Sequence, residues 1–477
     1  MIFLKKLMQT VQWFADLLNS TKRSGGSFGS SSVEKGDRDG LHGVFSWSAA
    51  MSLSSTPPIL SVRPSRALVD EAFEVLVENL PPVSPFTLRS LHHSEDGDDW
   101  EAYGRYVSDH SGRVSVSEDL SFGGTYSGME PLGLIWSLRP VPGSRTGLRL
   151  RKKDVTTPML ITISLYNGHE DFRDNSPLVS MVTERWYMGP GIQRIEITDG
   201  ELRGGLFIPP GPGPFPGILD LWGGGGGLLE YRSALLASRG YVCLALEYFK
   251  TGQMKSTDMS FEYFENAYHV LKDHPQVIPD RVGIISLCLG TIVTLGLVAE
   301  STEIKPCCVV CISNIISKSP GKTLSGFHRS IPSEFNKIRV DENNHQIWRD
   351  VGLALLQEPS MKVDVAKINC PLLLVNGCDD QNWCAVETAD DISKTMNAAG
   401  KGHLLTRLDY PETGHLIEPP FSPHCPAGNF IMYSSNQKVL QRYGGKTKPH
   451  SDAQDDSWRK ILSFLRHHLY CSQKAMM

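Results

Sequence analysis

The stretch ISLCLGTIVTLGLV, residues 285–298, contains the end of an apolar strand and the start of an apolar helix, with Cys288 at the corner between them. A tight turn from strand to helix brings the two backbones together, so small residues are needed two positions before and two positions after the central one. Ser286 and Gly290 meet that need. A five-residue string also occurs by chance, but its place between a strand and a helix makes Cys288 a candidate nucleophile.

The corner also gives a thiol electrostatic support. Cys288 precedes the helix, and the positive end of the helix dipole favours the thiolate form. The backbone N–H of Leu289 would face an acyl oxygen and form one half of an oxyanion hole. We expect the other half from Gly224 and Gly225 in LWGGGGGLLEY, because glycines let a backbone amide turn inward. A phosphate loop is excluded, since two leucines follow the glycines where Lys-Ser/Thr would be required.

An acid and a base are expected later in the chain than the nucleophile. PLLLVNGCDDQNW ends a predicted strand with Asp379 and Asp380, and LDYPETGHLIEPP places His415 in a loop after another short strand. Open α/β sheets gather their active-site groups at the carboxyl ends of strands. A single loop histidine is usually a surface residue, so the order of the four elements carries the prediction, and either aspartate fits the acid position.

The distribution of short segments predicts two kinds of architecture. From Pro57 to about residue 190, alternating segments such as AFEVLVENL and LITISLYNG predict an antiparallel sandwich. After that, near-continuous apolar runs such as YVCLALEY alternate with helical segments, which predicts a parallel α/β sheet. The predicted division is an extension at 1–55, an all-β domain at 56–195, an α/β domain at 196–470 and a tail at 471–477.

Composition excludes several classes of function. The chain has 477 residues, 40% hydrophobic and 21% charged, with a net charge of -5, and it has no basic run long enough to follow a nucleic-acid backbone. The densest basic cluster, RLRKKD at 149–154, is interpreted as a solvated turn between strands. No window approaches the ~20 apolar residues of a membrane span. All ten cysteines lie at or after Cys243, which does not fit a secreted disulfide framework.

The Cys308 to Cys311 spacing resembles half of a zinc site, but the run is apolar and has no second pair, so no metal is predicted.

The first residues leave the compartment open. Leu7, Val11, Phe14 and Leu18 recur at helical spacing before a Ser/Gly-rich tract, as in a transit peptide, although Asp16 interrupts the segment. A docking or disordered extension explains the same pattern equally well. The final residues SQKAMM do not form a peroxisomal address of the S-K-L type.

Several longer strings resemble the family of type I acyl-CoA thioesterases and bile acid-CoA:amino acid N-acyltransferases. They include AYGRYVSD, GMEPLGLIWSL, FIPPGPGPFPGILDLWGGGGGLLEYRSALLA, DDQNW and YPETGHLIEPP, and the likeness extends from about Thr56 to residue 470. The resemblance implies a β-sandwich followed by an α/β-hydrolase domain. It also implies that Cys288 is the nucleophile, Asp380 the acid and His415 the base, with Asp379 as the competing acid.

A cysteine at the corner resembles the amino-acid-transferring branch of this family. Attack by Cys288 on an acyl-CoA exchanges one thioester for another, and the acyl-enzyme stays activated towards an amine. The leading hypothesis is therefore transfer of a bile-acyl or fatty-acyl group from CoA to glycine or taurine. The alternative is hydrolysis of acyl-CoA to the free acid, and a catalytically silent scaffold is a third hypothesis.

The remaining expectations concern cofactors, assembly and location. We expect coenzyme A thioester as a substrate and no permanently bound cofactor. A monomer is favoured. The family resemblance implies an intracellular enzyme of the peroxisome or cytosol, or of the mitochondrion if the first segment is a transit peptide.

Overall fold

A computed structural model describes residues 56–248, 260–319, 323, 332–432 and 437–471 of the chain. The predicted amphipathic segment at 7–18 and the SQKAMM tail lie outside these residues. Within the described part of the chain, no helix is long and apolar enough to span a membrane. The same residues contain no cluster of metal-ligating side chains.

The first part of the described chain is built from strands with one short helix, α1 (Gly133–Trp136). The strands are β1 (Ile59–Arg63), β2 (Arg66–Leu68), β3 (Glu74–Glu78), β4 (Pro85–His93), β5 (Asp99–Val107), β6 (Val114–Ser115), β7 (Arg139–Pro140), β8 (Met159–Asn167) and β9 (Val179–Trp186). They form a three-stranded sheet, β1-β3-β6, and a six-stranded sheet, β2-β9-β8-β4-β5-β7.

These two sheets share an apolar core. Alternate residues of β1 and β3, among them Val62 and Val77, are buried, as are Leu88 of β4 and Ile163 of β8. The period of two in these sequences therefore places one face of each sheet inwards. The strands predicted from the alternating segments are present at the predicted positions.

A larger sheet follows, with its own helices. Its strands are β10 (Gln193–Asp199), β11 (Leu202–Ile208), β12 (Phe215–Leu221), β13 (Gly227–Leu228), β14 (Val242–Tyr248), β15 (Val277–Leu287), β16 (Val309–Ile312), β19 (Leu372–Gly377) and β20 (Leu405–Tyr410). The main order is β10-β11-β14-β12-β15-β16-β19-β20, and β13 pairs with β14. The pairs from β14 through β12 to β20 are parallel, while β10–β11 and β11–β14 are antiparallel.

When the strands are numbered from the first and β13 is left out, the sheet has the order 1-2-4-3-5-6-7-8, which is the strand order of the α/β-hydrolase fold. Strands β16 and β19 are buried along their whole length, as expected for parallel strands that are covered on both faces. Strand β10 crosses the predicted boundary at residue 195, and the division into two domains stays a prediction.

The remaining elements surround this sheet. The helices are α2 (Tyr231–Ser238), α3 (Phe261–Lys272), α4 (Leu289–Glu300), α5 (Arg349–Leu356), α6 (Ala385–Ala398) and α7 (Thr447–Tyr470). Short 3-10 turns lie at Pro332–Lys337, Pro359–Met361, Val365–Lys367 and Gly402–Leu404. A small sheet that the sequence analysis did not anticipate joins β17 (Arg339–Val340), β18 (Gln346–Ile347), β22 (Lys438–Arg442) and β21 (Ala427–Ile431).

Candidate active site

Cys288 lies at the corner between β15 and α4 in an uncommon backbone conformation, with φ 55° and ψ -119°. Non-glycine residues rarely adopt positive φ, and the cost of such a conformation must be offset by surrounding contacts. The Cys288 N–H donates to Ile312 O at 3.0 Å, and its carbonyl accepts from Thr291 N at 2.9 Å and Thr291 Oγ1 at 2.6 Å. The backbone on both sides of the thiol is therefore held in place.

The two small residues around Cys288 have the packing that the sequence pattern predicts. A Cβ atom built on Gly290 would lie 2.9 Å from Trp222 O and 3.0 Å from the carbonyl carbon of Leu221, so strand and helix could not approach with a larger residue. Ser286 is fully buried, and its hydroxyl donates to Val310 O at 3.2 Å. The tight turn predicted at 286–290 is present.

Asp380 and His415 form a buried pair next to this corner. Asp380 Oδ2 lies 2.7 Å from His415 Nδ1, and Asp380 Oδ1 accepts from the N–H groups of Asn382 and Trp383, each at 2.8 Å. Because an ionised carboxylate only accepts hydrogen bonds, Nδ1 of His415 carries a proton. The other ring nitrogen, Nε2, is then the one that can exchange a proton with a neighbouring group.

The neighbouring carboxylate, Asp379, points elsewhere. Its Oδ2 accepts from Gly445 N at 2.8 Å, and its Oδ1 accepts from Gln381 Nε2 at 2.7 Å. Asp379 therefore holds the loop around Gly445, and Asp380 is the aspartate that contacts His415. The sequence alone left the two carboxylates as competitors, and the structure pairs His415 with the one that the resemblance implied.

The thiol of Cys288 acts electrostatically on His415. His415 Nε2 is buried and makes no hydrogen bond of normal geometry within the described residues. Burial lowers the pKa of His415, but the charges of Asp380 and Cys288 outweigh it and raise the pKa to about 10. The surroundings thus stabilise an imidazolium, which is the species formed when a thiol gives its proton to this ring.

The loop that carries His415 is held by long-range hydrogen bonds. The His415 N–H donates to Tyr443 O at 2.9 Å, and Ser313 Oγ donates to His415 O at 2.5 Å. Buried His450, in α7, accepts from Gly414 N at 3.1 Å through Nδ1 and donates to Leu416 O at 2.9 Å through Nε2. His450 therefore holds the residues on both sides of His415.

Burial lowers the pKa of His450 to about 3, with a smaller contribution from His424, so His450 stays neutral. The sequence analysis missed this residue, because nothing near it in the sequence marks it as a neighbour of His415.

The residues predicted to form the oxyanion hole are Leu289, Gly224 and Gly225. Leu289 is the first residue of α4, where backbone N–H groups have no acceptor within the helix. In the glycine loop, a Cβ built on Gly223 would lie 3.1 Å from Cys288 Cβ, and one built on Gly225 would lie 3.3 Å from Arg151 Nη2. Gly223, which the sequence analysis did not name, is thus in contact with the corner, and the roles of Leu289, Gly224 and Gly225 stay predictions.

A buried charged cluster adjoins the site, and it corrects the interpretation of RLRKKD as a solvated turn. Arg149 Nη2 lies 2.7 Å from Glu418 Oε1, and both side chains are largely buried. The Tyr231 hydroxyl also donates to Glu418. Burial alone would raise the pKa of Glu418, but Arg149 lowers it below its ordinary value. Nothing in the sequence pattern of residues 149–154 indicates that its arginines point towards the interior.

A cavity of about 640 Å³ borders the same cluster. Arg151, Tyr231 and Glu418 lie in its wall, and most of the other lining residues are apolar, among them Leu91, Leu138, Leu150, Met159 and Tyr187. Its volume is in the range of small-molecule sites.

The sheet order, the turn at Cys288 and the neighbouring histidine–carboxylate pair define an α/β-hydrolase-fold protein. Family models described as "Acyl-CoA thioester hydrolase/BAAT N-terminal region" and "BAAT / Acyl-CoA thioester hydrolase C terminal" match residues 70–199 and 259–471. The chain belongs to this family, whose members are enzymes that act on acyl-CoA thioesters.

Individual relatives fall in both branches of the family. The chain is 35% identical to acyl-coenzyme A thioesterase 1 of Mus musculus over 86% of its own length and 96% of the relative's. It is 36% identical to the mitochondrial acyl-coenzyme A thioesterase 2 of the same species, over 87% and 90%. It is 34% identical to the mouse bile acid-CoA:amino acid N-acyltransferase, over 86% and 97%. These nearly equal identities do not separate hydrolysis from transfer.

Proposed function

We propose that this protein is an acyl-CoA:amino acid N-acyltransferase that works through an acyl group bound to Cys288. The acyl donor is a bile-acyl or fatty-acyl CoA, and the acceptor is glycine or taurine. The observation that carries the proposal is a thiol, not a hydroxyl, on the corner beside the His415–Asp380 pair. Asp379 has no part in the chemistry, because its carboxylate is bound to Gly445 and Gln381.

In the first step, Cys288 gives its proton to His415 Nε2, and Sγ attacks the carbonyl carbon of the acyl-CoA. The C–S bond to coenzyme A breaks, and His415 returns the proton to the departing thiolate. Asp380 keeps Nδ1 protonated and stabilises the imidazolium. The N–H of Leu289 and the backbone of Gly224 or Gly225 stabilise the negative oxygen. The products are coenzyme A and an acyl thioester on Cys288.

In the second step, the amine of the acceptor attacks the acyl thioester. His415 takes a proton from the amine and gives it to Sγ of Cys288 as the C–S bond breaks. The new bond is an amide, and the free thiol is restored. A thioester is a better acylating agent for an amine than an ester, so a cysteine at this corner favours transfer.

Hydrolysis is the second candidate function, because water activated by His415 would release the free acid from the same intermediate. The similarity to two acyl-coenzyme A thioesterases favours it. The two functions differ only in which nucleophile reaches the acyl thioester.

The test is to incubate the protein with a panel of acyl-CoAs, with and without glycine or taurine, and to measure free acid and N-acyl product by mass spectrometry. We expect N-acyl product to dominate at saturating acceptor. If every mixture gave only free acid, the protein would be a hydrolase and not a transferase. If neither product formed and acyl-CoA did not label Cys288, the catalytically silent scaffold would be the remaining hypothesis.

The variant Cys288→Ser sharpens this assay, with Cys471→Ser as the matched control because Cys471 is exposed. The serine variant would form an ester intermediate, so its product ratio should shift towards free acid, while the control keeps the wild-type ratio. An unchanged ratio in Cys288→Ser would show that the acceptor site alone sets the partition.

The compartment is also a proposal. The named mitochondrial relative and the amphipathic segment at 7–18 support an intracellular enzyme with a mitochondrial population. Fusion of residues 1–55 to a fluorescent protein tests whether this segment directs import into mitochondria. If the fusion protein is found only in the cytosol, the segment is an extension with another role.

A further inference from the structure

Arg151 is a partly buried arginine that lies beside the candidate site without a carboxylate of its own. Its Nε atom is buried and has no hydrogen-bond partner among the described residues. The carboxylate of this cluster, Glu418, is already bound by Arg149 and by the Tyr231 hydroxyl. Two guanidinium groups therefore share one carboxylate.

The charge balance of the cluster is positive. The pKa of Arg151 is lowered, first by the charge of Arg149 and then by burial, and the charge of Glu418 offsets these effects only in part. The neighbouring Lys152 is paired with Glu95. A buried cation without a partner is costly, and a bound anion would remove that cost.

The glycine loop lies between Arg151 and the corner that carries Cys288. Gly225 lies against its guanidinium, and Gly223, two residues earlier in the same loop, lies against Cys288. The buried ring of Tyr443 stacks on His415, with 6.1 Å between the ring centroids. The pKa of the Tyr443 hydroxyl is raised to about 12, chiefly by burial, with smaller electrostatic contributions from Cys425, Arg149, Arg151 and Cys288, in that order. The guanidinium also lies in the wall of the 640 Å³ cavity.

We infer that Arg151 binds the acid group of the acceptor, the carboxylate of glycine or the sulfonate of taurine, and so directs the amine towards the acyl thioester. This inference rests on the proposed function. A guanidinium recognises carboxylates and similar oxyanions through two parallel hydrogen bonds, and its single positive charge matches the single negative charge of such an acid. Coenzyme A carries several phosphate charges, for which one buried arginine is a poor match.

The first experiment measures binding without turnover. Cys288 is alkylated with iodoacetamide in the presence of increasing taurine or glycine, and its modification is followed by peptide mass spectrometry, with exposed Cys471 as the internal reference. Both acids should slow the alkylation of Cys288 and not that of Cys471. In Arg151→Met the half-protecting concentration should rise about tenfold or more.

The matched control is Arg145→Met, because Arg145 lies on the same segment but is exposed and paired with Asp98. It should keep wild-type protection. Arg151→Lys should recover part of the effect, since it restores the charge without the planar fork. Equal protection in wild type and Arg151→Met, with both folded by circular dichroism, would overturn the inference.

The second experiment separates this inference from the proposed function. With acyl-CoA as donor, Arg151→Met should raise the KM for glycine about tenfold and leave the KM for glycinamide, which lacks the acid, unchanged. Transfer with an unchanged KM for glycine would overturn the role of Arg151 and keep the transferase.

If wild type makes no N-acyl product, the transferase fails, and protection of Cys288 then decides the anion site by itself. Protection that depends on Arg151 would then support an anion site for the acid group of another reactant. Comparing the rates at which dicarboxylyl-CoA and monocarboxylyl-CoA are hydrolysed would identify that reactant. Absence of protection would reject the site as well.

Discussion

The two sides of the candidate site are held in place by different means. The corner at 286–290 is held by backbone contacts and by the absence of side-chain volume at Gly290, all within a few residues of Cys288 and the adjoining strands. The loop at 411–418 is held by side chains from distant parts of the chain, namely Asp380, Ser313 and His450.

This difference determines how each side responds to substitution. At the corner, loss of the Cys288 thiol removes the nucleophile itself, so that substitution should abolish activity. In the loop several hydrogen bonds together orient His415, so loss of one of them should lower the activity only in part. Five substitutions, two of them a matched pair, test this contrast.

The largest effect is expected from Cys288→Ala. Acyl transfer and hydrolysis should both fall to background, because no other group on the corner can form the acyl-enzyme. The free energy of unfolding should change by less than about 1 kcal/mol, since the alanine keeps the small volume of the site. Both products are measured by mass spectrometry and stability by urea denaturation. Substantial remaining activity would remove Cys288 from the mechanism.

The two aspartates give the next largest effect and a matched pair. Asp380→Asn should lower kcat by about 10²- to 10⁴-fold, because an amide can donate to Nδ1 and favour the wrong tautomer of His415. Asp379→Asn should lower kcat less than about tenfold, since its carboxylate binds Gly445 and Gln381 instead. The comparison is made at saturating acyl-CoA. The reverse ranking would assign the acid role to Asp379.

Gly290→Ala tests the corner through packing. The added methyl would lie 2.9 Å from Trp222 O and 3.0 Å from Leu221, both of which are contacts with a strand end that cannot turn away. We expect a loss of about 1–3 kcal/mol in the free energy of unfolding. The same displacement of the corner should lower activity about tenfold or more. An unaffected urea midpoint would show that α4 can shift at no cost.

The smallest effect, and the most specific for the loop, is expected from His450→Gln. The unfolded chain protonates this histidine below about pH 6.5, whereas the native pKa is about 3, so native stability is present above pH 6.5 and is lost as the pH falls below it. Relative to the variant, wild type should lose about 1 kcal/mol between pH 6.5 and 5.5.

Glutamine can keep one donor and one acceptor at this position, so activity at pH 7.5 should fall only a few-fold. Denaturant titrations at four or five pH values measure the slope for both proteins. Parallel pH profiles would show that His450 does not remain neutral in the native state.

The same contrast explains what the sequence could predict. The turn around Cys288, the strand series and the glycine loop are local patterns, and each was found where the pattern placed it. The partnership of His415 with Asp380 needed either the resemblance or the structure, because two adjacent aspartates have the same local pattern. The support from His450 and the inward direction of Arg149 and Arg151 depend on chain segments far apart, so no local signal marks them.

The support that α7 gives to the His415 loop also has a consequence for the order in which the chain is made. Cys288 leaves the ribosome about 160 positions before His450, which at ordinary elongation rates is on the order of ten seconds or more. After His415 itself has been made, the loop that carries this base still lacks its contacts with His450 until α7 follows. The loop that carries His415 therefore reaches its full set of hydrogen bonds only when α7 folds against it.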